Sequence, residues 1–293
     1  MTRTRPAGYV LAEERPRMRR RRWLAPLLVL VLVAAVALGG YAAVRHLVDG
    51  VQGPTCTATA LGQSTSFDPE QMGNAATIVG IASKRGLPAR AATIAVATAI
   101  QESKIRNITY GDRDSVGLFQ QRPSQGWGTR AQLLTPEYAT NAFYDALVKI
   151  DGYQTMAITQ VAQQVQKSAY PEAYADHEGQ GRILASTLTG HSPAAFGCDL
   201  DEATSSDPAA LQDDLQDDLG LQGARTTASG HPVLTVSTST STQAWGVASW
   251  AVAKAGIRGV TRVDVAGRSW RRDQGAEWQA GAGSATQVRI TLR

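Results

Sequence analysis

The uncharged run LAPLLVLVLVAAVALGGYAAV, Leu24 to Val44, constrains the chain more than any other stretch. Its ~21 residues match the roughly 20 that an α-helix needs to cross the hydrocarbon core of a bilayer. A cleaved signal peptide is the alternative, because GGYAA resembles a small-residue cleavage site, but signal peptides carry a shorter apolar part. Arg3, Arg5, Arg15, Arg17 and Arg19 to Arg22 precede the run and few basic residues follow it. That asymmetry places the N-terminus in the cytoplasm and everything after Arg45 outside. The expectation is a single-pass cell-membrane protein with a cytoplasmic basic tail (1–23), a transmembrane helix (24–44), a Gly/Ser/Thr/Pro-rich stalk (45–66) and an extracytoplasmic remainder. The net charge of +4 comes from the same arginines. The rest of the chain is near neutral, which argues against nucleic acid as a partner.

The chain has two cysteines, Cys56 and Cys198. Both fall on the side expected to be outside, where oxidising conditions let a disulfide persist, and pairing is expected. The bond would close a loop of about 140 residues, worth up to ~5 kcal/mol in the chain-entropy description. Two separate buried thiols are the alternative.

From Asp68 to about Ala195 the periodicity is helical and strand signals are nearly absent. Asp68-Pro69-Glu70 is a good N-cap with proline at the first helical position, and Ile78, Val79, Ile81 and Ala82 give the helix an apolar face. A second helix follows Gly86-Leu87-Pro88 and runs to about Ser103, so rich in Ala, Ile and Val that it reads as buried on most sides. A third runs from Thr135-Pro136-Glu137 to about Ile150. In a fourth, Ile158, Val161, Ala162 and Val165 share one face. Residues 199–230 read as an acidic linker. Within it Leu211, Leu215 and Leu219 line a short helix whose aspartates face water. The segment lacks the glycine and ligand spacing of a calcium loop. Residues 231–293 read as a small α/β module: strands at Pro232–Thr238, Val260–Val265 and Gln287–Leu292, with a helix at Gln243–Ala255.

The chemistry concentrates between Ala99 and Gly128. Glu102 sits at the C-terminal end of the most apolar helix, where partial burial and the negative end of the helix dipole both favour its protonated form. Such a carboxyl can donate a proton to a leaving oxygen. Glu102-Ser103 followed fifteen positions later by Gly117-Leu118-Phe119-Gln120 resembles the lysozyme-like superfamily of soluble lytic transglycosylases and goose-type lysozymes. Their catalytic Glu-Ser precedes Gly-Leu-Met-Gln at a similar interval, so Phe119 stands for methionine. Gly111-Asp112-Arg113 resembles the Gly-Asp-Arg loop of the goose-type enzymes, whose aspartate helps to position water. Ala169-Tyr170 resembles the Ala-Tyr-Asn of transglycosylases, although Pro171-Glu172 follows here. The resemblance covers roughly Asp68 to Ala195.

The resemblance implies that Glu102 is the catalytic acid and base, with Asp112 as a second catalytic candidate and Asp114 as another. Ser103, Gly117, Gln120, Gln121, Trp127 and Tyr170 are the candidate substrate-binding residues. Trp127 lies between Gly126 and Gly128 and could offer its ring to a sugar face. Goose-type enzymes carry a further aspartate two positions past the Gln, where this chain has Arg122. An inverting hydrolase needs two carboxylates ~6.5–9.5 Å apart, so that absence favours a transglycosylase. There the acetamido group of the substrate assists and the muramic acid closes on itself. His46, His177, His191 and His231 are scattered, and no zinc-binding spacing occurs. The last module resembles a C-terminal domain of secreted actinobacterial proteins related to metal-dependent cell-wall peptidases, through Ala251 to Gly256, Val260 and Gly267-Arg268-Ser269-Trp270. Where those relatives carry His-x-His this chain has Gln287-Val288-Arg289, so no metal chemistry is expected there.

These readings amount to a mainly α fold: a lysozyme-like helical domain (67–198) after one transmembrane helix, with a small α/β accessory domain. The expected function is cleavage of peptidoglycan glycan strands without a cofactor. A catalytically silent peptidoglycan-binding scaffold is the alternative.

Overall fold

The computed structural model describes residues 24–49, 53–166 and 171–293, and the chain divides into two units, Met1–Gly53 and Pro54–Arg293. The first contributes helix α1 (Leu24–Asp49). Among the described residues no helix is long and apolar enough to cross a membrane. This overturns the expected transmembrane helix and, with it, the single-pass cell-membrane localisation. The expected basic tail, 1–23, lies outside the described residues.

In the second unit the helix starts follow local chemistry. Asp68 caps α2 (Pro69–Lys84): its Oδ1 accepts from the Gln71 N–H at 3.0 Å, and Gln71 Oε1 accepts from the Asp68 N–H at 3.1 Å. This reciprocal box satisfies two donors that the first turn leaves unpaired. Pro88 then opens α3 (Ala89–Ser103), buried without a break from Ala91 to Ile100. Short α4 (Arg130–Leu133), α5 (Pro136–Leu147), α6 (Ile158–Gln166) and α7 (Glu178–Leu188) follow. α3 is the axle of this bundle. Gly181 of α7 comes so close that a Cβ there would sit 2.6 Å from the Thr93 carbonyl oxygen, and Tyr144 of α5 donates to the Ile78 carbonyl at 2.9 Å.

The residues expected as a stalk instead supply β1 (Thr55–Ala60) and β2 (Gln63–Phe67), joined by Leu61-Gly62, both at positive φ as a two-residue hairpin turn requires. With β3 (Phe196–Asp199) they form an antiparallel sheet in the order β2-β1-β3. Cys56 lies directly opposite Cys198 in that sheet, and the two are joined by a disulfide.

The stretch 199–230 contains α8 (Pro208–Leu219) and β4 (Gly223–Ala228), within the same compact unit as the residues on either side. Leu211 and Leu215 are buried as their spacing implies, but Asp218 is fully buried and does not face water. Next come β5 (His231–Ser237), α9 (Ser241–Ala253), α10 (Ala255–Arg258), β6 (Val260–Val265), β7 (Arg268–Arg271), β8 (Gln279–Ala280) and β9 (Gln287–Leu292). With β4 these strands build a six-stranded antiparallel sheet in the order β4-β5-β9-β6-β7-β8. Its indole side chains reach back to β3: Trp270 Nε1 donates to the Cys198 carbonyl at 3.2 Å, and Trp278 Nε1 to that of Phe196 at 2.7 Å. Gly197 between them has no room for a Cβ, which would lie 1.7 Å from the Ala276 oxygen.

The mainly α expectation is therefore corrected. The described residues form two antiparallel sheets, one of six strands, beside the helices. The missing strands are short, rich in Thr, Ser and Arg, and stabilised by pairing across long sequence distances, which periodicity does not report.

Candidate functional site

α3 ends in two successive left-handed residues, Lys104 and Ile105, each at φ 58°. The Ile105 N–H bonds the Ala99 carbonyl and the Lys104 N–H that of Ile100, both at 3.0 Å, the paired closure usually made by glycine. A β-branched residue at positive φ is strained by roughly 1–3 kcal/mol and persists only where the surroundings hold it. Ile105 is fully buried. Strain of this kind, one turn from Glu102, is a common mark of a working site.

Glu102 occupies the last turn of α3 and is partly buried. The hydroxyl of Tyr174 donates to its Oε1 at 2.5 Å. Tyr174 is fully buried, in a 3₁₀ stretch Pro171–His177 ahead of α7. This tyrosine escapes the sequence reading, although the pair Ala173-Tyr174 repeats Ala169-Tyr170 four positions on. Tyr170 itself lies outside the described residues.

Ser103 is buried and points away from open space: its Oγ lies 2.7 Å from the Leu118 carbonyl oxygen and 3.1 Å from that of Ala99. It thereby ties the end of α3 to the Gly117–Gln120 turn. Gly117, at φ 78°, lets that turn press on α4, because a Cβ would sit 2.3 Å from the Leu133 oxygen. Gln120, another left-handed residue, donates to the carbonyls of Gly117 (3.2 Å) and Tyr110 (3.3 Å), bracing the acidic loop. Gln121 is buried and donates to the Ala139 carbonyl at 3.2 Å. Phe119 stacks on Phe143 with ring centroids 4.6 Å apart. Trp127 is partly buried and packs against the core, and its carbonyl accepts from Tyr138 at 3.3 Å.

The two loop carboxylates differ. The Asp112 side chain is 86% exposed, with the Arg113 Nε 3.8 Å away. Asp114 accepts from the Ser124 N–H (2.8 Å), the Ser124 hydroxyl (3.0 Å) and Arg122 Nε (2.9 Å). The Ser124 N–H first, and then the Arg122 guanidinium, hold the Asp114 carboxyl well below the usual carboxylate range. Arg122 is thus occupied in neutralising Asp114. A cavity of about 570 Å³ lined by Arg90, Thr93, Glu178 and Arg182 belongs to the opposite end of α3, roughly 20 Å along the helix from Glu102.

No family model matches the sequence, and no curated protein matches it.

Proposed function

We propose that the protein cleaves the glycan strands of peptidoglycan, with Glu102 as the proton donor to the glycosidic oxygen. The observation that carries this reading is the Tyr174 hydroxyl held 2.5 Å from Glu102 Oε1 at the strained end of a buried helix. A solvated glutamate at a fraying helix end has no need of a fully buried tyrosine. The Ser103 tie adds to it, since it joins the Glu-Ser pair to the Gly-Leu-Phe-Gln turn that carries the family resemblance.

The carboxylates favour a transglycosylase within this class. An inverting hydrolase needs a base to activate water. Asp114 is a poor base, because Ser124 and Arg122 stabilise its ionised form. The Asp112 side chain is 86% exposed, with little around it to orient a water. In the transglycosylase route Glu102 gives its proton to the leaving oxygen and then accepts one as the muramic acid hydroxyl closes the anhydro ring.

Digestion of purified peptidoglycan, with products resolved by mass, tests the proposal. Glu102→Gln keeps side-chain volume but cannot cycle a proton, so turnover should fall by at least ~100-fold with the fold retained. Full activity of the folded variant overturns the proposal.

A further inference from the structure

Away from Glu102, α2, α8 and α9 enclose a charged cluster that glycan cleavage does not use. Asp218, near the end of α8, is fully buried, and Lys254, at the end of α9, is 5% exposed. Lys254 Nζ lies 2.9 Å from Asp218 Oδ2 and donates to Thr77 Oγ1 at 2.7 Å. The same Oδ2 accepts from the Thr77 hydroxyl (3.0 Å) and Trp250 Nε1 (2.8 Å). Oδ1 of this carboxyl is buried and has no hydrogen-bond partner among the described residues. Three donors on one oxygen and none on the other is an expensive way to bury a carboxylate, which normally satisfies both. It suits a carboxyl that keeps one oxygen and loses the other.

We propose that Lys254 and Asp218 condense to an intramolecular amide that staples α9 to α8. The pair is buried, and Nζ is held 2.9 Å from an oxygen of the carboxyl that would acylate it, so positioning supplies much of what condensation requires. A proton passes from the ammonium to the carboxyl along their contact, and Nζ, now an amine, attacks Cγ of Asp218. Trp250 Nε1 and the Thr77 hydroxyl stabilise the negative charge that develops on Oδ2, as donors in an oxyanion site do. The C–N bond forms and the Cγ–Oδ1 bond breaks. Of the three ammonium protons, one remains on the amide nitrogen and two leave with Oδ1 as water, so the step needs no oxidant or cofactor. Arg258 pairs with Asp214 through two bonds of 2.7 and 2.9 Å and balances that neighbouring charge.

Mass spectrometry of the purified, thiol-reduced full chain tests the proposal. The expected intact mass is one water below that of the sequence. Trypsin should then leave Lys254 uncut and yield a branched species in which residues 226–258 are joined to 183–225. Lys254→Arg keeps a cation beside Asp218 but offers no amine to acylate, and it should give a chain folded by circular dichroism and at the full mass of its own sequence. A wild-type chain at full mass after prolonged incubation in its folded state, releasing a free 226–254 peptide, overturns the proposal. Loss of one water from Lys254→Arg as well overturns the assignment of the bond to Lys254.

Discussion

Tyr174 and Glu102 are 72 positions apart in sequence and 2.5 Å apart between the phenolic oxygen and Oε1. The bond crosses from the 3₁₀ stretch before α7 to the last turn of α3, so it fixes the carboxyl by an element that the helix itself does not supply. Tyr174→Phe keeps the buried ring and removes the donor. We expect a loss of about 1.5–3 kcal/mol, roughly ten- to a hundredfold in kcat, with KM little changed, because the substitution displaces the carboxyl alone. Steady-state kinetics on soluble glycan fragments measures it, and an unchanged kcat would make the bond purely structural.

Asp112→Asn distinguishes the two chemistries. With Asp112 exposed and Asp114 already engaged by Arg122, the substitution should leave turnover within a few-fold of wild type, and the products should remain anhydro-muramoyl. Products with reducing ends that disappear in Asp112→Asn would instead assign water activation to that side chain.

The Asp114 contacts give the acidic loop a pH dependence. The folded-state proton affinity of Asp114 is depressed. Its contribution to stability is therefore fully present above the unfolded value, near pH 4, and is lost as the pH falls through the folded value. Wild type should exceed Asp114→Asn in Tm by a constant amount above pH ~5, and the margin should shrink as acidity increases below pH ~4. Thermal scans across that range check the sign, and a margin that grows on acidification would refute the assignment.

Reduction of the Cys56–Cys198 bond, or Cys56→Ser with Cys198→Ser, frees a separation of 142 residues. The expected cost is about 2–5 kcal/mol, or roughly 5–15 °C in Tm for a chain of this size. Thermal unfolding with and without reductant measures it.

What the sequence makes legible is what local chemistry decides. The Asp68-Pro69 cap, the bulk of α3, and the bounds of β6 and β9 depend on neighbours a few positions away. The hairpin β1–β2 is not legible in the same way: Cys56, Ala58 and Ala60 alternate inward, but their side chains are small and their flanks are threonines, so the pattern resembles a polar tether. Asp218 is misread for a related reason. Its partners Thr77, Trp250 and Lys254 come from other helices, and a run of aspartates on a short helix gives no sign that one of them turns inward. Within the candidate site Glu102 stands out by its motif. Tyr174 does not, because only the folded chain brings the 3₁₀ stretch to the end of α3.

The strand order of the large sheet bears on biosynthesis. β9 lies between β5 and β6, yet it is made some fifty residues after β5 and more than twenty after β6. While the ribosome is still producing the intervening chain, β5 and β6 each carry an edge with unpaired amides, and the indoles of Trp270 and Trp278 have not yet closed over β3. Nascent edges of this kind invite pairing with other chains. The large sheet therefore cannot close in the order in which it is translated, and the edges of β5 and β6 wait for β9.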